Sequence, residues 1–206
     1  MHYFCTFFGF MCTKTGKTMK RIAIFASGEG TNAERIIRYF EGNKAVEITL
    51  VVTNKEQAGV IRRAENLKVP AMYLPAKDFK EGKINEVMRQ HQIDFIVLAG
   101  FLLHVPDSLL EDYPNRMINI HPSLLPKFGG KGMYGGRVHE AVLAAGEQES
   151  GITIHYVNGN YDEGAVIRQA KCPVLPDDTP DTLASRVHGL EYEYFPVVIE
   201  ELMEKL

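Results

Sequence analysis

The sequence predicts an α/β fold: a doubly wound, mostly parallel sheet of about seven strands, formed as a single domain. Apolar runs of strand length alternate with amphipathic helical patterns, which is typical of repeated βαβ units. The run 95–101 is apolar at every position, as expected for a central strand covered on both faces. With 206 residues, 45% of them hydrophobic, the chain can bury one sizeable core.

The first βα unit shows the pattern most clearly. A strand is predicted at 21–26, and the following helix carries Ile36, Ile37 and Phe40 on one face before Gly42-Asn43 ends it. The other elements follow from the same reasoning: strands at 46–52, 72–74, 94–101, 116–120, 151–157 and 165–174, and helices at about 57–67, at 83–91, from 106 and at 138–145.

The two ends of the chain carry their own signals. Thr179 is suited to cap the last helical segment, and Pro196 is expected to interrupt that segment because proline lacks an N–H donor. Residues 1–18 lack the basic start and the cleavage site of a signal peptide. We expect residues 1–18 to be a disordered or non-native extension and residues 19–206 to form the domain.

Composition disfavours several functional classes. A formal net charge of -3 argues against a nucleic-acid partner. The three cysteines are odd in number and lack CxxC spacing, which predicts a cytoplasmic protein without a disulfide framework. The scattered histidines predict no metal site, and no apolar run approaches the roughly 20 residues of a membrane helix. We therefore expect small-molecule substrates and no membrane partner, and the sequence leaves open whether the protein is a monomer or a homodimer.

The loop 27–32, with the sequence SGEGTN, lies between the first strand and the first helix. Glycines let a backbone approach an anion closely, and a helix N-terminus presents free N–H groups and a positive dipole end. The loop therefore predicts a phosphate site, although it matches neither a Walker A loop nor GxGxxG. The alternative is a plain tight turn with Thr31 or Asn32 as the helix N-cap.

Asn119 and His121 lie two residues apart at the end of a predicted strand, so both side chains point to the same face. An amide donor beside an imidazole can stabilise an oxyanion while the imidazole carries a proton. The alternative is a structural hydrogen-bonded pair. Asp162 lies in the loop between two later strands. If that loop folds back, its carboxylate raises the pKa of His121; otherwise Asp162 is a solvated turn residue.

Together, SGEGTN, VLAGF, NIHPSLLPK and the pattern HxVxxxxDxG resemble the phosphoribosylglycinamide formyltransferases, from Met19 to the end of the chain. The resemblance implies transfer of a formyl group from 10-formyltetrahydrofolate, a co-substrate, to the amine of glycinamide ribonucleotide in purine synthesis, with no bound cofactor. It implies a catalytic trio of Asn119, His121 and Asp162. It also implies ribonucleotide contacts at Gly30, Thr31, Asn32 and Glu191, and folate contacts at Lys80, Leu102, Leu103, His104, Val105 and Asn119.

Other histidines are expected to be non-catalytic: His155 as a packed or edge residue, and His139 as a solvated helix residue. His104 lies in the implied folate segment, where its backbone is expected to matter more than its ring. The segment 127–136 is longer and richer in glycine than in the family it resembles, and we expect a mobile loop there.

Three other functions remain open. Formyltetrahydrofolate deformylase resembles the chain around NIHPS but normally carries an extra N-terminal domain. Methionyl-tRNA formyltransferase adds a C-terminal RNA-binding domain. A non-catalytic nucleotide-binding module would need no Asn119–His121 pair. The phosphate loop favours the small phosphorylated substrate.

Overall fold

The computed structural model describes residues 19–206, and the expected extension at 1–18 lies outside the described residues. Seven strands form one sheet in the order β3-β2-β1-β4-β5-β6-β7. Strands β1 to β5 pair in parallel, while β6 and β7 are antiparallel to their neighbours. The predicted fold class is confirmed. The strands are β1 Lys20–Phe25, β2 Val46–Thr53, β3 Ala71–Tyr73, β4 Phe95–Leu98, β5 Met117–His121, β6 Glu149–Tyr156 and β7 Val166–Pro173.

Helices cover both faces of the sheet, because successive strand residues point to opposite sides. In β1, Ile22 and Ile24 pack in one apolar cluster, while Ala23 and Phe25 pack in another. The first cluster includes residues of α1, α2, α6 and α7, and the second includes residues of α3, α4 and α5. The helices are α1 Thr31–Tyr39, α2 Gly59–Asn66, α3 Ala76–Lys80, α4 Lys83–Gln90, α5 Asp107–Asp112, α6 Gly136–Ala144 and α7 Pro180–Lys205.

The last helix, α7, corrects one expectation and confirms another. Thr179 is the N-cap, and its hydroxyl accepts a hydrogen bond from the backbone N–H of Thr182 at 3.3 Å. Pro196 does not interrupt the helix, which continues to Lys205. Val198 and Ile199 follow the proline and are fully buried. Core packing beyond Pro196 therefore outweighs the loss of one helical hydrogen bond.

The strand order places a crevice at the carboxyl ends of the central strands. β1 lies between β2 and β4, so the strand order runs outward from β1 in both directions along the sheet. α/β proteins bind ligands at such a switch point. None of the helices in the described part of the chain has the length and apolar character that a bilayer crossing requires.

Candidate active site

A cavity of about 670 Å³ opens at the carboxyl ends of β1, β4 and β5. One wall is formed by Gly28, by Asn32 of α1, and by α7 residues that include Glu191. A second wall is formed by the segment after β4 and by the β6–β7 loop. The glycine-rich segment and the start of α6 also line the cavity. Segments that are distant in the sequence therefore line one space.

Asn119 and His121 project from the end of β5 into this cavity. Ile118 and Ile120, which alternate with them, pack in the apolar core on the other face. Asp162 meets the pair: one carboxylate oxygen, Oδ2, lies 3.4 Å from His121 Nδ1, and the other, Oδ1, lies 3.4 Å from Asn119 Nδ2. The β6–β7 loop thus folds back toward the strand end, and the three side chains come together.

The glycine-rich segment contacts the same side chains through its backbone. The carbonyl oxygen of Phe128 lies 2.8 Å from His121 Nε2, and because a carbonyl can only accept, this nitrogen carries the hydrogen. The N–H of Gly130 donates to Asp162 Oδ2 at 2.9 Å. Gly130 has a φ of 93°, which favours glycine. Because His121 Nε2 bonds Phe128, the nitrogen of His121 that faces Asp162 is Nδ1.

The charge states follow from burial and neighbours. Burial lowers the pKa of His121, although the Asp162 carboxylate and the Phe128 carbonyl act in the opposite direction. Asp162 thus acts on the pKa of His121 in the expected direction, but burial outweighs it and the net shift is downward. Burial alone would raise the pKa of Asp162, but His155, His121 and the N–H of Gly130 lower it overall. The pair is thus biased toward a neutral imidazole beside a charged carboxylate.

His155 is a member of the site that the sequence reasoning missed. It lies opposite Asn119 in the β5–β6 register and is 2% exposed. Its Nδ1 donates to the carbonyl of Tyr156 at 2.8 Å, which leaves Nε2 to accept from Asn119 Nδ2 at 3.1 Å. The same Nε2 lies 3.6 Å from Asp162 Oδ1. His155 is packed, as expected, yet it contacts two members of the predicted trio. The HxVxxxxDxG pattern, which begins at this residue, was the available signal.

His139 is not a solvated helix residue, which corrects the expectation. It is 1% exposed in α6 and lines the cavity. Within residues 19–206 its Nδ1 has no hydrogen-bond partner. Burial, together with nearby His188 and His121, lowers its pKa to about 4. The ring is buried because α6 packs against both the sheet core and α7, so the helix has more than one inward face.

The predicted phosphate loop is only partly in the cavity wall. Gly30 is the N-cap of α1 with a φ of 76°, and a Cβ there would collide with Val60. Neither Thr31 nor Asn32 is the N-cap that a plain turn was expected to have. Asn32 lines the cavity and donates to Glu191 at 2.8 Å, whereas Gly30 and Thr31 are not among the lining residues. Burial raises the pKa of Glu191, although Asn32 and His188 act in the opposite direction.

The segment after β4 lines the cavity as expected for the folate contacts, with Leu102, Leu103, His104 and Val105 all in the wall. The ring of His104 also bonds across the cavity mouth, with Nε2 donating to the carbonyl of Gly159 at 2.9 Å. This bond ties the segment to the loop that carries Asp162. Lys80, at the end of α3, is exposed and is not among the lining residues.

Across the described residues 19–206, no group of three or more His, Cys, Asp or Glu side chains is arranged to hold a metal ion. The polar side chains that line the cavity include amides, imidazoles, carboxylates, phenols and the cations Lys55, Lys131 and Arg137.

The comparison with known families decides the classification. The formyl transferase family model matches residues 20–199, which is most of the chain. The chain belongs to the formyl transferase family. A phosphoribosylglycinamide formyltransferase of Bacillus subtilis (strain 168) is 39% identical, and the match covers 90% of this chain and 95% of that protein. The resemblance seen in the sequence is thereby confirmed for this formyl transferase.

Relatives with longer chains and solved structures agree. Chloroplastic phosphoribosylglycinamide formyltransferases of Vigna unguiculata and Arabidopsis thaliana are 40% and 37% identical over 90% of this chain, which spans 62% and 66% of their lengths. The solved structure of the enzyme of the same name from Bacillus halodurans superimposes with a TM-score of 0.82 at 36% identity, covering 90% of this chain and 96% of that one.

Proposed function

We propose that this formyl transferase moves the formyl group of 10-formyltetrahydrofolate to the amine of glycinamide ribonucleotide, in purine synthesis. The observation that carries the proposal is the convergence of Asn119, His121 and Asp162 at one end of a two-walled cavity. The names of the relatives described above support the same reaction. The cytoplasmic location, the monomeric or dimeric state, the absence of a membrane or nucleic-acid partner, and a domain bounded at residue 19 stay predictions.

The two walls suit two substrates. The segment 102–105, with Asn119 nearby, supplies backbone groups and apolar side chains for the folate. The opposite wall has Asn32 and Glu191, whose hydrogen bond fixes a buried carboxylate for the ribonucleotide. Gly30 and Thr31 begin α1 just behind this wall, so the phosphate would meet the helix N-terminus. Holding both substrates in one cavity turns a bimolecular encounter into an oriented one. Lys80 contributes nothing to either wall in this arrangement.

The reaction balances with these side chains alone. The amine nitrogen attacks the formyl carbon, and the C=O π electrons move to oxygen. The C=O bond then re-forms as the C–N10 bond breaks, and N10 leaves with the electron pair of that bond. Asn119 would turn the amide hydrogen that now points to Asp162, at 3.4 Å, toward the oxyanion. The proton that leaves the amine is taken by the His121–Asp162 pair and returned to N10. A neutral His121 is the form that can accept it.

The test is an assay of purified protein with 10-formyltetrahydrofolate, with and without glycinamide ribonucleotide, in which folate product and free formate are both measured. We expect folate release that depends on the ribonucleotide and yields no formate. Formate release without the ribonucleotide would instead make the protein a deformylase and would overturn the proposal.

The catalytic assignment is tested by Asp162→Asn, which keeps the shape of the side chain and removes its charge. We expect kcat to fall about 100- to 10,000-fold, the usual contribution of general acid–base catalysis, with an unchanged circular dichroism spectrum. Lys44→Gln, a change far from the cavity, is the control. Turnover near that of the unmodified enzyme in Asp162→Asn would remove this residue from the mechanism.

A further inference from the structure

The cavity also contains cationic side chains that have no part in the catalytic trio. Lys55, Lys131 and Arg137 line the cavity, and none of the three forms an ion pair with a carboxylate among residues 19–206. By contrast, Lys127, in the same glycine-rich region, bonds Glu147 at 2.7 Å. The cavity therefore presents three cations that are not paired with a carboxylate in the described part of the chain, and such cations suit anionic substrates.

Arg137 differs from the two lysines because its position is supported. It lies in the first turn of α6, and its guanidinium carbon is 5.1 Å from the ring centroid of Tyr134. Stacking on an aromatic ring limits the freedom of a guanidinium and leaves its N–H groups available at the edge. A planar fork of N–H donors matches the oxygens of a phosphate in a bidentate geometry.

The packing of α6 decides which substrate Arg137 faces. α6 packs against α7, and α7 supplies Ala184, His188 and Glu191 to the cavity. Arg137 and these α7 residues line the same cavity, so Arg137 enters it from the helix that packs against α7, whereas the segment 102–105 belongs to the other wall.

We propose that Arg137 binds the phosphate of the ribonucleotide substrate. The inference rests on the proposed function, because that function supplies the phosphorylated substrate. It adds a cationic side chain to a phosphate site that the sequence assigned only to the loop before α1.

The test compares two substrates in two proteins. Glycinamide ribonucleotide and its phosphate-free riboside are each assayed with the unmodified enzyme and with Arg137→Ala. We expect Arg137→Ala to raise the KM for the ribonucleotide by about tenfold or more and to leave kcat and the KM for the riboside nearly unchanged. Arg137→Lys, which keeps the charge and loses the fork, should fall between the two. Arg116→Ala, an exposed arginine outside the cavity, is the control.

Three results would overturn the proposal: an equal loss with both substrates, no loss with either, or a loss that instead depends on the number of glutamates attached to the folate. The last result would assign Arg137 to the folate tail. Calorimetric binding of ribose 5-phosphate to both proteins tests Arg137 without turnover. If the unmodified enzyme shows no transfer, the proposed function fails, while weaker ribose 5-phosphate binding by Arg137→Ala would still support the phosphate contact and equal binding would refute it.

Discussion

The buried ring of His139 makes the stability of the protein depend on pH in a way that can be measured. Its pKa is lowered from 6.5 to about 4. A neutral ring is therefore favoured in the folded state, and the unfolded state binds a proton first as the pH falls. Stability from this group is complete above about pH 6.5 and is lost progressively down to about pH 4.

The size of the effect follows from the shift. Each pKa unit corresponds to about 1.4 kcal/mol, so protonating the His139 ring in the folded protein costs about 3 kcal/mol. Between pH 7.5 and pH 5, about 2 kcal/mol of the free energy of unfolding is lost. His139→Phe removes the titrating group and its unpartnered Nδ1 and replaces the imidazole with a larger planar ring beside the cavity. At pH 7.5 we expect this variant to be at least as stable as the unmodified protein, because it no longer buries an unsatisfied polar atom.

The assay is urea unfolding at pH 7.5 and pH 5, with His91→Phe as a control on a histidine outside the cavity. Between the two pH values, the free energy of unfolding should fall by about 2 kcal/mol less in His139→Phe than in the unmodified protein. Contributions from other titrating groups are common to both proteins and cancel in this comparison. The same loss in both proteins would refute the reasoning, because His139 would then be free to take up a proton in the folded state.

Two further predictions concern the positioning of the trio. His155→Phe removes the acceptor of the Asn119 amide and should lower kcat about tenfold or more, with little change in either KM; unchanged kcat would show that this contact does not orient Asn119. Gly130→Ala strains a residue with φ 93° and weakens its bond to Asp162 Oδ2, which should raise the pKa of Asp162 and move the acid limb of the rate profile to higher pH. Gly132→Ala, which has the same φ and no such bond, is the control, and equal profiles would refute the argument.

Local periodicity was sufficient for the part of the site built on β5. Side chains alternate along a strand, so a two-residue spacing places Asn119 and His121 on one face whatever surrounds them. The carboxyl ends of parallel strands meet at one edge of a sheet, so the same reasoning placed loop 27–32, the segment after β4 and this pair close together. These relations depend on backbone geometry and strand order, both of which leave a pattern in the sequence.

Packing between elements that are distant in the chain leaves no periodic pattern in the sequence. His139 follows Val138, and both are buried because α6 is covered on two sides, whereas a surface helix would bury only one of two adjacent residues. Pro196 is likewise tolerated because the turns beyond it are anchored in the core. In both cases the local rule was sound, and tertiary packing outweighed it.

The charge of His121 shows why predicting which side chains come together did not predict the direction of the pKa shift. The sequence placed a carboxylate near an imidazole, and that neighbour does act to raise the pKa of His121. It could not show that the ring would be 4% exposed, and the cost of burying charge is the larger effect. Part of that burial comes from the glycine-rich segment, which bonds His121 through Phe128 and Asp162 through Gly130. The trio is therefore held in place partly by backbone groups of the glycine-rich segment, which no side-chain pattern reveals.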